Sequence, residues 1–473
     1  MSIQFSKKLA AHETPIPGVV VYDLPVHGDN RGWFKENWQR EKMVALGLPD
    51  FRPVQNNISF NEKTGTTRGI HAEPWDKFIS VATGRIFGAW VDLREGPTFG
   101  AVFTAELDPS QAIFIPRGVG NAFQTLEDNT AYTYLVNDHW SADAQGQYTF
   151  LNLADESAAI QWPISLDQAE LSDKDKAHPR LADVVPMPPK KILVVGADGQ
   201  LGRALRRHYD GDPSVEFAGR SDFDITDAGT FLARSWKNYS TIINAAAYTA
   251  VDAAETPEGR IAAWANNVTA VALLARTAVE HDLTLVHVSS DYVFDGSRAL
   301  HSEEEPFSPL GVYGQTKAAG DALVSVVPRH FIIRTSWVIG DGNNFVRTMA
   351  SLAARGVEPS VVNDQVGRLT FTDDIAAGIR HLLAAGGYGT YNLTNDGEPQ
   401  SWAQIASDVF QLSGASREAV TGVSTAEYFR GKQAAPRPLN SVLDLAKIKA
   451  SGFVPRPARE VLEDYLSRQT TRA

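Results

Sequence analysis

The pattern of apolar and polar positions differs between two parts of the chain, and the change falls near residue 186. Before it, short apolar runs recur between glycine, proline and asparagine positions, and several alternate with polar or small residues. The runs cover residues 77–81, 86–93, 101–107, 112–115 and 131–136. Short strands at this spacing are typical of an all-β sandwich or barrel.

After residue 190, apolar strands alternate with alanine-rich helical stretches. Strands are predicted at 192–195, 215–218, 241–244 and 283–289, and a long helical stretch at 261–279. This alternation predicts βαβ units and a doubly wound parallel sheet of the Rossmann type.

Three prolines in four residues separate the two patterns. Pro186, Pro188 and Pro189 disfavour both helix and sheet, so they predict a short, stiff spacer. No internal repeat is present. We therefore expect two unlike domains, residues 1–186 and 190–473.

Composition narrows the class of protein. Of 473 residues, 44 are Lys or Arg and 56 are Asp or Glu, and the net charge of −12 argues against a nucleic-acid surface. The hydrophobic fraction of 43% excludes a wholly disordered chain. No apolar run approaches the ~20 residues that span a bilayer, so no membrane association is expected. There are no cysteines and no signal sequence, which excludes disulfides and thiolate nucleophiles and predicts a cytoplasmic protein.

A strand, a glycine turn and the start of a helix follow one another soon after residue 190. In a dinucleotide site, Gly196 permits the tight turn, Gly199 lets the backbone approach the pyrophosphate, and Gly202 allows the helix to pack closely on the sheet. The helix start at Gln200 and Leu201 would present N–H groups to the phosphates. A tight turn without a ligand is the alternative.

Arg220 bears on the choice of cofactor. The strand predicted at 215–218 should end near the adenosine ribose, where an acidic residue would favour NAD. An arginine there favours the 2′-phosphate of NADPH, with NADH as the alternative, because a solvent-exposed arginine would explain the same residue.

Ser290, Tyr313 and Lys317 form a candidate reductase set. Tyr313 and Lys317 are four residues apart and share a helix face, and a nearby ammonium lowers the pKa of a phenol. The phenol can then protonate a ketone oxygen that receives hydride, while the serine hydroxyl holds the same oxygen. On its own, such a Tyr–Lys pair is more often a surface pair.

Residues 190–473 resemble the extended short-chain dehydrogenase/reductases, and specifically the dTDP-4-dehydrorhamnose reductases. The resemblance rests on the glycine turn and on the stretches 224–227, 244–249, 289–294, 313–317, 334–337, 364–365 and 437–441. It implies a small substrate-binding lobe beside the Rossmann domain. It also implies that Tyr292 and Trp337 lie near the sugar nucleotide. The cofactor would be lined by Asp224, Ile225, Ala245, Ala246 and Ala247.

In the first part, His71 lies between Arg68 and Lys77. Histidine suits proton abstraction near neutral pH, and abstraction next to a carbonyl needs cations where the enolate oxygen develops. Tyr134 could deliver a proton from the opposite side, and Asp175 could hold the imidazole. A structural histidine is the alternative. No convincing ligand cluster is present, so no metal is expected.

Residues 1–186 resemble the dTDP-4-dehydrorhamnose 3,5-epimerases, which are cupin-like jelly rolls that work as dimers without metal. The matching stretches are 29–36, 54–57, 68–71, 97–100, 115–118, 162–163 and 171–175, with Lys77 and Tyr134. The resemblance implies a homodimer through this domain. It implies His71 as base, Asp175 as its partner, Tyr134 as acid and Lys77 as enolate stabiliser. The substrate would be bound by Arg31, Phe34, Glu36, Gln55, Asn57 and Arg68.

Four positions depart from the epimerase pattern. Glu73 stands where the family commonly has Gln, and Gly88 where an Asp is usual. Asn121 stands at a usual His, and Trp140 at an aromatic residue that is often Tyr. These departures leave open whether both C3 and C5 of the sugar are epimerised.

Together the two parts predict a bifunctional enzyme of dTDP-L-rhamnose synthesis. It would epimerise dTDP-4-dehydro-6-deoxy-glucose at C3 and C5 and then reduce the C4 ketone with NADPH. Two alternatives stay open: a regulatory or scaffold protein that binds the sugar nucleotide without turnover, and an epimerase–reductase for another nucleotide-deoxyhexose.

Overall fold

The computed structural model describes residues 3, 5–139 and 146–470. The chain divides into two compact units, Met1–Pro189 and Lys190–Ala473. In the proline-rich stretch, Met187 is buried and its N–H donates to the Leu93 carbonyl at 2.8 Å, so this stretch continues the first unit. Within the described ranges, no helix is long and apolar enough to cross a membrane.

Two antiparallel sheets form the first unit, as expected for a jelly roll. Their strand orders are β1-β2-β10-β7-β12-β5 and β13-β6-β11-β8-β9, and β3 pairs with β4 in a separate hairpin. The elements are β1 (Ala10–Glu13), β2 (Val20–Asp23), β3 (Val26–Asp29), β4 (Gly32–Lys35), α1 (Arg40–Val44), β5 (Gln55–Asn61), β6 (Thr67–Ala72), β7 (Lys77–Thr83), β8 (Ile86–Asp92), β9 (Val102–Leu107), β10 (Gln111–Ile115), β11 (Val119–Thr125), β12 (Thr130–Val136), β13 (Thr149–Phe150) and α2 (Asp173–Lys176).

The core of this unit lies between the two sheets, because alternate residues of each strand point inward. Ile79 of β7, Trp90 of β8 and Tyr132 of β12 belong to it. The same alternation turns Lys77 and Tyr134 inward, because Lys77 lies two residues before Ile79 and Tyr134 two residues after Tyr132. Because β7 and β12 run antiparallel, both side chains lie at the same end of the sandwich.

A six-stranded parallel sheet forms the centre of the second unit, in the order β15-β14-β16-β17-β18-β23. This confirms the doubly wound fold that the alternating pattern predicts. The strands of the unit are β14 (Lys191–Val195), β15 (Val215–Ala218), β16 (Tyr239–Asn244), β17 (Thr284–Ser290), β18 (His330–Thr335), β19 (Val338–Ile339), β20 (Ser360–Val362), β21 (Val366–Gly367), β22 (Thr370–Phe371), β23 (Gly389–Asn392), β24 (Gln400–Ser401) and β25 (Thr421–Val423).

Helices cover both faces of this sheet, and a further group builds the small lobe. Separate apolar cores include Leu274 of α6 and Ile375 of α9. A third core, with Val346 of α8, Val409 of α10 and Val461 of α13, belongs to the lobe. The helices are α3 (Gln200–His208), α4 (Ala228–Leu232), α5 (Pro257–Trp264), α6 (Ala270–Glu280), α7 (Val312–Val324), α8 (Phe345–Ala354), α9 (Thr372–Ala385), α10 (Trp402–Leu412), α11 (Thr425–Tyr428), α12 (Ala446–Ala450) and α13 (Ala458–Thr470).

The strand order reverses at β14, which has β15 on one side and β16 on the other. Ligands of open α/β sheets bind at the carboxyl ends of the strands at such a point. Gly196 follows β14 with a φ of +75°, and an added Cβ would lie 2.6 Å from the Ala246 nitrogen. A Cβ on Gly202 of α3 would overlap the backbone of Gly196 and Ala197. Glycine therefore allows α3 to start directly against the turn.

Gly202→Ala should lower the free energy of unfolding of the second unit by about 1–3 kcal/mol, because α3 must move to make room for one methyl group. Hydrogen exchange with mass spectrometry of the full chain resolves the peptides of this unit and measures the loss. Gly229→Ala in α4 is the matched control, since its nearest neighbours are atoms of the flexible Asp227 side chain. Equal protection in both variants would contradict the packing described for Gly202.

Candidate active sites

A cleft of about 1060 Å³ lies at the end of the sandwich that holds Lys77 and Tyr134. Strands of both sheets and the chain around α2 supply its walls. Its lining combines titratable and aromatic side chains, among them Arg68, His71, Glu73, Lys77, Tyr132, Tyr134, Tyr148, Phe150, Asp175 and His178. The structure thus brings the predicted acid–base residues of this unit into one cleft.

His71 of β6 and Asp175 of α2 form a hydrogen-bonded pair, with Nε2 of the imidazole 2.9 Å from Oδ1 of the carboxylate. Ser172 caps α2 by accepting from the Asp175 N–H at 3.1 Å, which fixes the carboxylate in place. Burial raises the pKa of Asp175, but the hydrogen bond and charge of His71 outweigh burial and hold that pKa below its usual value. A third of the His71 side chain stays exposed and can meet a ligand in the cleft.

Lys77 is 5% exposed and forms an ion pair with Glu73. Its Nζ also lies 5.2 Å from the centre of the Tyr134 ring. Burial raises the pKa of Tyr134 and the negative charge of Glu73 raises it further, while Arg68 lowers it. The phenol therefore keeps its proton at neutral pH. Sequence reasoning missed this ion pair, because opposite charges four residues apart outside a helix carry no contact signal.

The departures at Gly88 and Asn121 form a single arrangement around Trp90. The Trp90 indole N–H donates to Oδ1 of Asn121 at 3.0 Å, and the Tyr132 hydroxyl donates to the same oxygen at 3.2 Å. A Cβ on Gly88 would overlap the Trp90 ring, so the aspartate usual at this position has no room. The fourth departure, Trp140, lies outside the described residues.

Three of the six residues expected to bind substrate line the cleft, namely Gln55, Asn57 and Arg68. The amide of Gln55 donates to Oδ1 of Asn57 at 2.7 Å, and Nε of Arg68 donates to Oδ1 of Asn61 at 3.1 Å. These polar groups stand on β5 and β6, one strand from each sheet.

The other three expected residues, Arg31, Phe34 and Glu36, are not among the residues that line this cleft. They lie in or next to the β3–β4 hairpin. Arg31 pairs with Asp29 at 2.5 Å, Phe34 is 66% exposed, and Glu36 pairs with Lys42 at 2.6 Å. The hairpin thus holds these three residues at the surface of the unit.

His178 is a cleft residue that sequence reasoning missed. It follows Asp175 by three residues, and its ring stacks on Phe150 with 4.7 Å between ring centres. It also meets the edge of the His71 ring at 5.3 Å. A lone histidine after a short polar helix has no pattern that would have revealed it.

The predicted cofactor residues of the second unit gather at the carboxyl edge of its parallel sheet. Gly199 is the N-cap of α3, and Ala245 directly follows β16 with Ala246 and Ala247. Oε1 of Gln200 is buried and has no hydrogen-bond partner among the described residues. This oxygen is therefore free to accept a hydrogen bond from a ligand at the start of α3.

Four further predicted residues surround this edge in different ways. Leu201 and Ile225 are buried in apolar cores. Arg220 follows β15, is 78% exposed, and donates from Nε to Oδ2 of Asp224 at 3.3 Å. Its guanidinium is therefore accessible at the position where the sequence places a 2′-phosphate.

Ser290 ends β17, while Tyr313 and Lys317 lie one turn apart on α7. The Ser290 hydroxyl donates to Oδ1 of Asp291 at 2.9 Å. Burial raises the pKa of Tyr313 to about 12, although a hydrogen bond with Ser290 lowers it. The two hydroxyls predicted to hold one ketone oxygen are thus close together.

Lys317 is 2% exposed and donates from Nζ to the Val288 carbonyl at 2.7 Å. Nε2 of His287 lies 3.4 Å from the same nitrogen. Burial lowers the pKa of Lys317 to about 8. The Lys317 ammonium contacts β17 and burial has the largest effect on the pKa of Tyr313, so the lowering of that pKa by Lys317 stays a prediction.

The two aromatic residues expected near the sugar nucleotide have different neighbours. Tyr292 meets the Tyr313 ring edge-on, with 5.6 Å between ring centres. Trp337 stacks on Trp402 of the lobe at 3.8 Å. Tyr292 thus lies beside the predicted catalytic phenol, and Trp337 contributes to the lobe.

Two family models match the chain, one in each unit. The model described as dTDP-4-dehydrorhamnose 3,5-epimerase matches residues 13–183, and that described as RmlD substrate binding domain matches residues 190–471. An RmlC homolog of Streptococcus pyogenes is 52% identical over 194 residues, which are 40% of this chain and 98% of that protein.

The second unit has its own relatives. A dTDP-4-dehydrorhamnose reductase of Aggregatibacter actinomycetemcomitans is 39% identical over 294 residues, 58% of this chain and 97% of that protein. The solved structure of a dTDP-4-dehydrorhamnose reductase of Bacillus anthracis in complex with NADP is 32% identical and covers 59% of this chain and 99% of its own, with a TM-score of 0.55. The chain is therefore a fusion that belongs to two families, the dTDP-4-dehydrorhamnose 3,5-epimerases through residues 13–183 and the RmlD substrate-binding-domain proteins through residues 190–471.

Proposed function

We propose that this bifunctional enzyme converts dTDP-4-dehydro-6-deoxy-glucose to dTDP-L-rhamnose in two steps on one chain. Residues 1–186 are the 3,5-epimerase domain, and residues 190–473 are the reductase domain with its substrate lobe. The observation that carries the proposal is that each unit holds a full acid–base set beside an accessible cleft or sheet edge.

In the epimerase step, His71 removes the proton from a carbon next to the C4 ketone, and Asp175 holds the imidazole that gains it. Negative charge moves to the ketone oxygen as the enolate forms, and the Lys77 ammonium stabilises that charge. Tyr134 returns a proton to the other face, which inverts the carbon. Repetition at C3 and at C5 gives the L-configured ketone.

In the reductase step, Ser290 holds the C4 oxygen and Tyr313 donates its phenolic proton to that oxygen. NADPH supplies the hydride for C4 when bound. Lys317 binds the ribose of the nicotinamide, and its positive charge favours the phenolate that Tyr313 leaves behind.

The residues at the sheet edge fit NADPH. Gly196 and Gly202 allow α3 to start directly against the turn, so the N–H groups at its start can face the phosphates. Oε1 of Gln200, in the first turn of α3, has no partner among the described residues and can accept a hydrogen bond from the ligand. Arg220 is exposed, so its guanidinium can leave its ion pair with Asp224 and bind a 2′-phosphate instead. This supports NADPH over NADH. The similar reductase of Bacillus anthracis is described in complex with NADP.

We also propose a homodimer through the jelly roll, in which the β3–β4 hairpin reaches the cleft of the partner subunit. Support comes from Phe34, which is 66% exposed, and from Arg31 and Glu36, which do not line the cleft of their own unit. The cysteine-free composition is consistent with the cytoplasm as its location.

With dTDP-4-dehydro-6-deoxy-glucose and NADPH in deuterated water, the full chain should oxidise NADPH and yield rhamnose labelled at C3 and C5. His71→Ala should abolish the label, because no base remains to exchange the protons. Tyr313→Phe should abolish reduction while exchange continues. NADPH absorbance and product NMR measure the two steps.

A mixture of the two variants supplies the control for misfolding. His71→Ala keeps the reductase set and Tyr313→Phe keeps the epimerase set, so together they should restore NADPH oxidation. No turnover by the unaltered chain would refute the enzyme and favour a sugar-nucleotide-binding protein. Label at one carbon alone would refute the double epimerisation.

Reductase activity should fall as the pH rises through about 8. Burial lowers the pKa of Lys317 to that value, so the side chain is charged below it and neutral above it. Loss of the charge removes the group that favours the phenolate, and kcat/KM should drop about tenfold per pH unit on the alkaline side. Substrate epimerised beforehand by the Tyr313→Phe protein isolates this step.

Lys317→Arg tests the assignment, because arginine keeps its charge throughout this range. The variant should be slower overall and should lose the fall near pH 8. A fall that persists unchanged in Lys317→Arg would assign it to another group.

A further inference from the structure

His71, Asp175 and His178 bring three metal-ligating atoms together at the bottom of the epimerase cleft. Nε2 of His71 lies 2.9 Å from Oδ1 of Asp175, and Nε2 of His178 lies 3.9 Å from the same oxygen. The ligand atoms of the three residues all lie within 4.8 Å of one another. Nothing in the proposed epimerase reaction requires His178.

These separations are close to those of a tetrahedral zinc site. Zn²⁺ binds histidine nitrogen and carboxylate oxygen at about 2.0–2.2 Å, which places neighbouring ligand atoms roughly 3.3 Å apart. The distances of 2.9 and 3.9 Å lie on either side of that value. The two histidine nitrogens lie within 4.8 Å of each other, so the side chains must move closer together to complete three corners. The open cleft leaves the fourth corner to water.

The surroundings hold the ligands and do not repel a cation strongly. The His178 ring is fixed by stacking on Phe150, and its side chain is 12% exposed. Asp175 contributes a buried negative charge. The nearby Lys77 ammonium is already balanced by Glu73.

We propose that His71, Asp175 and His178 form an inhibitory site for a divalent transition-metal cation, of which Zn²⁺ is the best fit. A cation bound to Nε2 of His71 displaces the hydrogen bond to Asp175 and leaves the single proton of the neutral ring on Nδ1. The ring then has no free lone pair with which to accept a substrate proton, so proton abstraction stops. This consequence rests on the proposed role of His71. The two-nitrogen, one-oxygen set favours zinc over Mg²⁺ and Ca²⁺, which prefer oxygen ligands.

All three ligands of this site belong to the first unit. Zn²⁺ should therefore stop isotope exchange and leave reduction of substrate epimerised beforehand unchanged. The reductase activity of the same chain thus serves as the control for unspecific damage by zinc.

Binding is tested first, by titration calorimetry of the metal-free full chain with Zn²⁺. The unaltered chain should bind one Zn²⁺ in this site, and His178→Ala should weaken that binding roughly tenfold or more, because one of three protein ligands is lost. His281→Ala, which removes an exposed histidine at the C-cap of α6 in the second unit, is the matched control and should bind as the unaltered chain does. Mg²⁺ should give no heat of binding. Equal zinc affinity in His178→Ala, or equal binding of Mg²⁺, would overturn the site.

Inhibition is tested second, as the ratio of deuterium exchange with and without Zn²⁺ for each variant. The ratio should collapse for the unaltered chain, recover after EDTA, and stay near one for His178→Ala at the same zinc concentration. His178→Asn, of more similar polarity, and circular dichroism guard against misfolding. Exchange that persists at saturating zinc would overturn the inhibition. Absence of exchange without metal would instead count against the proposed epimerase, while calorimetry still decides on the cation site.

Discussion

Both sites depend on the burial of a lysine ammonium. The Lys77 side chain is 5% exposed and Lys317 is 2% exposed. A charge withdrawn from water is unstable unless other groups replace the water. Glu73 does this for Lys77. The Val288 carbonyl does it for Lys317, with Asp321 on the following turn of α7 adding attraction. The carboxylate of Asp321 is held in turn by Arg334 at 3.0 Å. Each lysine is thus held in place by partners that balance its charge.

Local patterns predicted the strands and helices well, because strand alternation and the glycine turn depend on residues that are close together in the sequence. The runs at 77–81 and 131–136 became β7 and β12, and the helical stretch at 261–279 lies within continuous helix from α5 to α6. Contacts between distant segments had no such signal. The Glu73 ion pair, the place of His178 and the Trp90–Asn121 bond all arise only when strands and loops meet in space.

The two proposed reactions use one functional group of the sugar. The C4 carbonyl makes the hydrogens at C3 and C5 acidic, and the same carbonyl accepts hydride. Its reduction removes that acidity, so the configuration set by the first unit can no longer revert. Joining both units in one chain raises the effective concentration of one active site near the product of the other.

The bond between Trp90 and Asn121 also limits the mutational routes open to this chain. An aspartate at position 88 requires a smaller residue than Trp90, and that change would remove the indole N–H and leave Tyr132 as the remaining donor to Oδ1 of Asn121. Either substitution made alone should destabilise the unit, because the first overlaps a ring and the second removes a donor. Gly88, Trp90 and Asn121 therefore depend on one another, and replacement of all three together is the route that this packing allows.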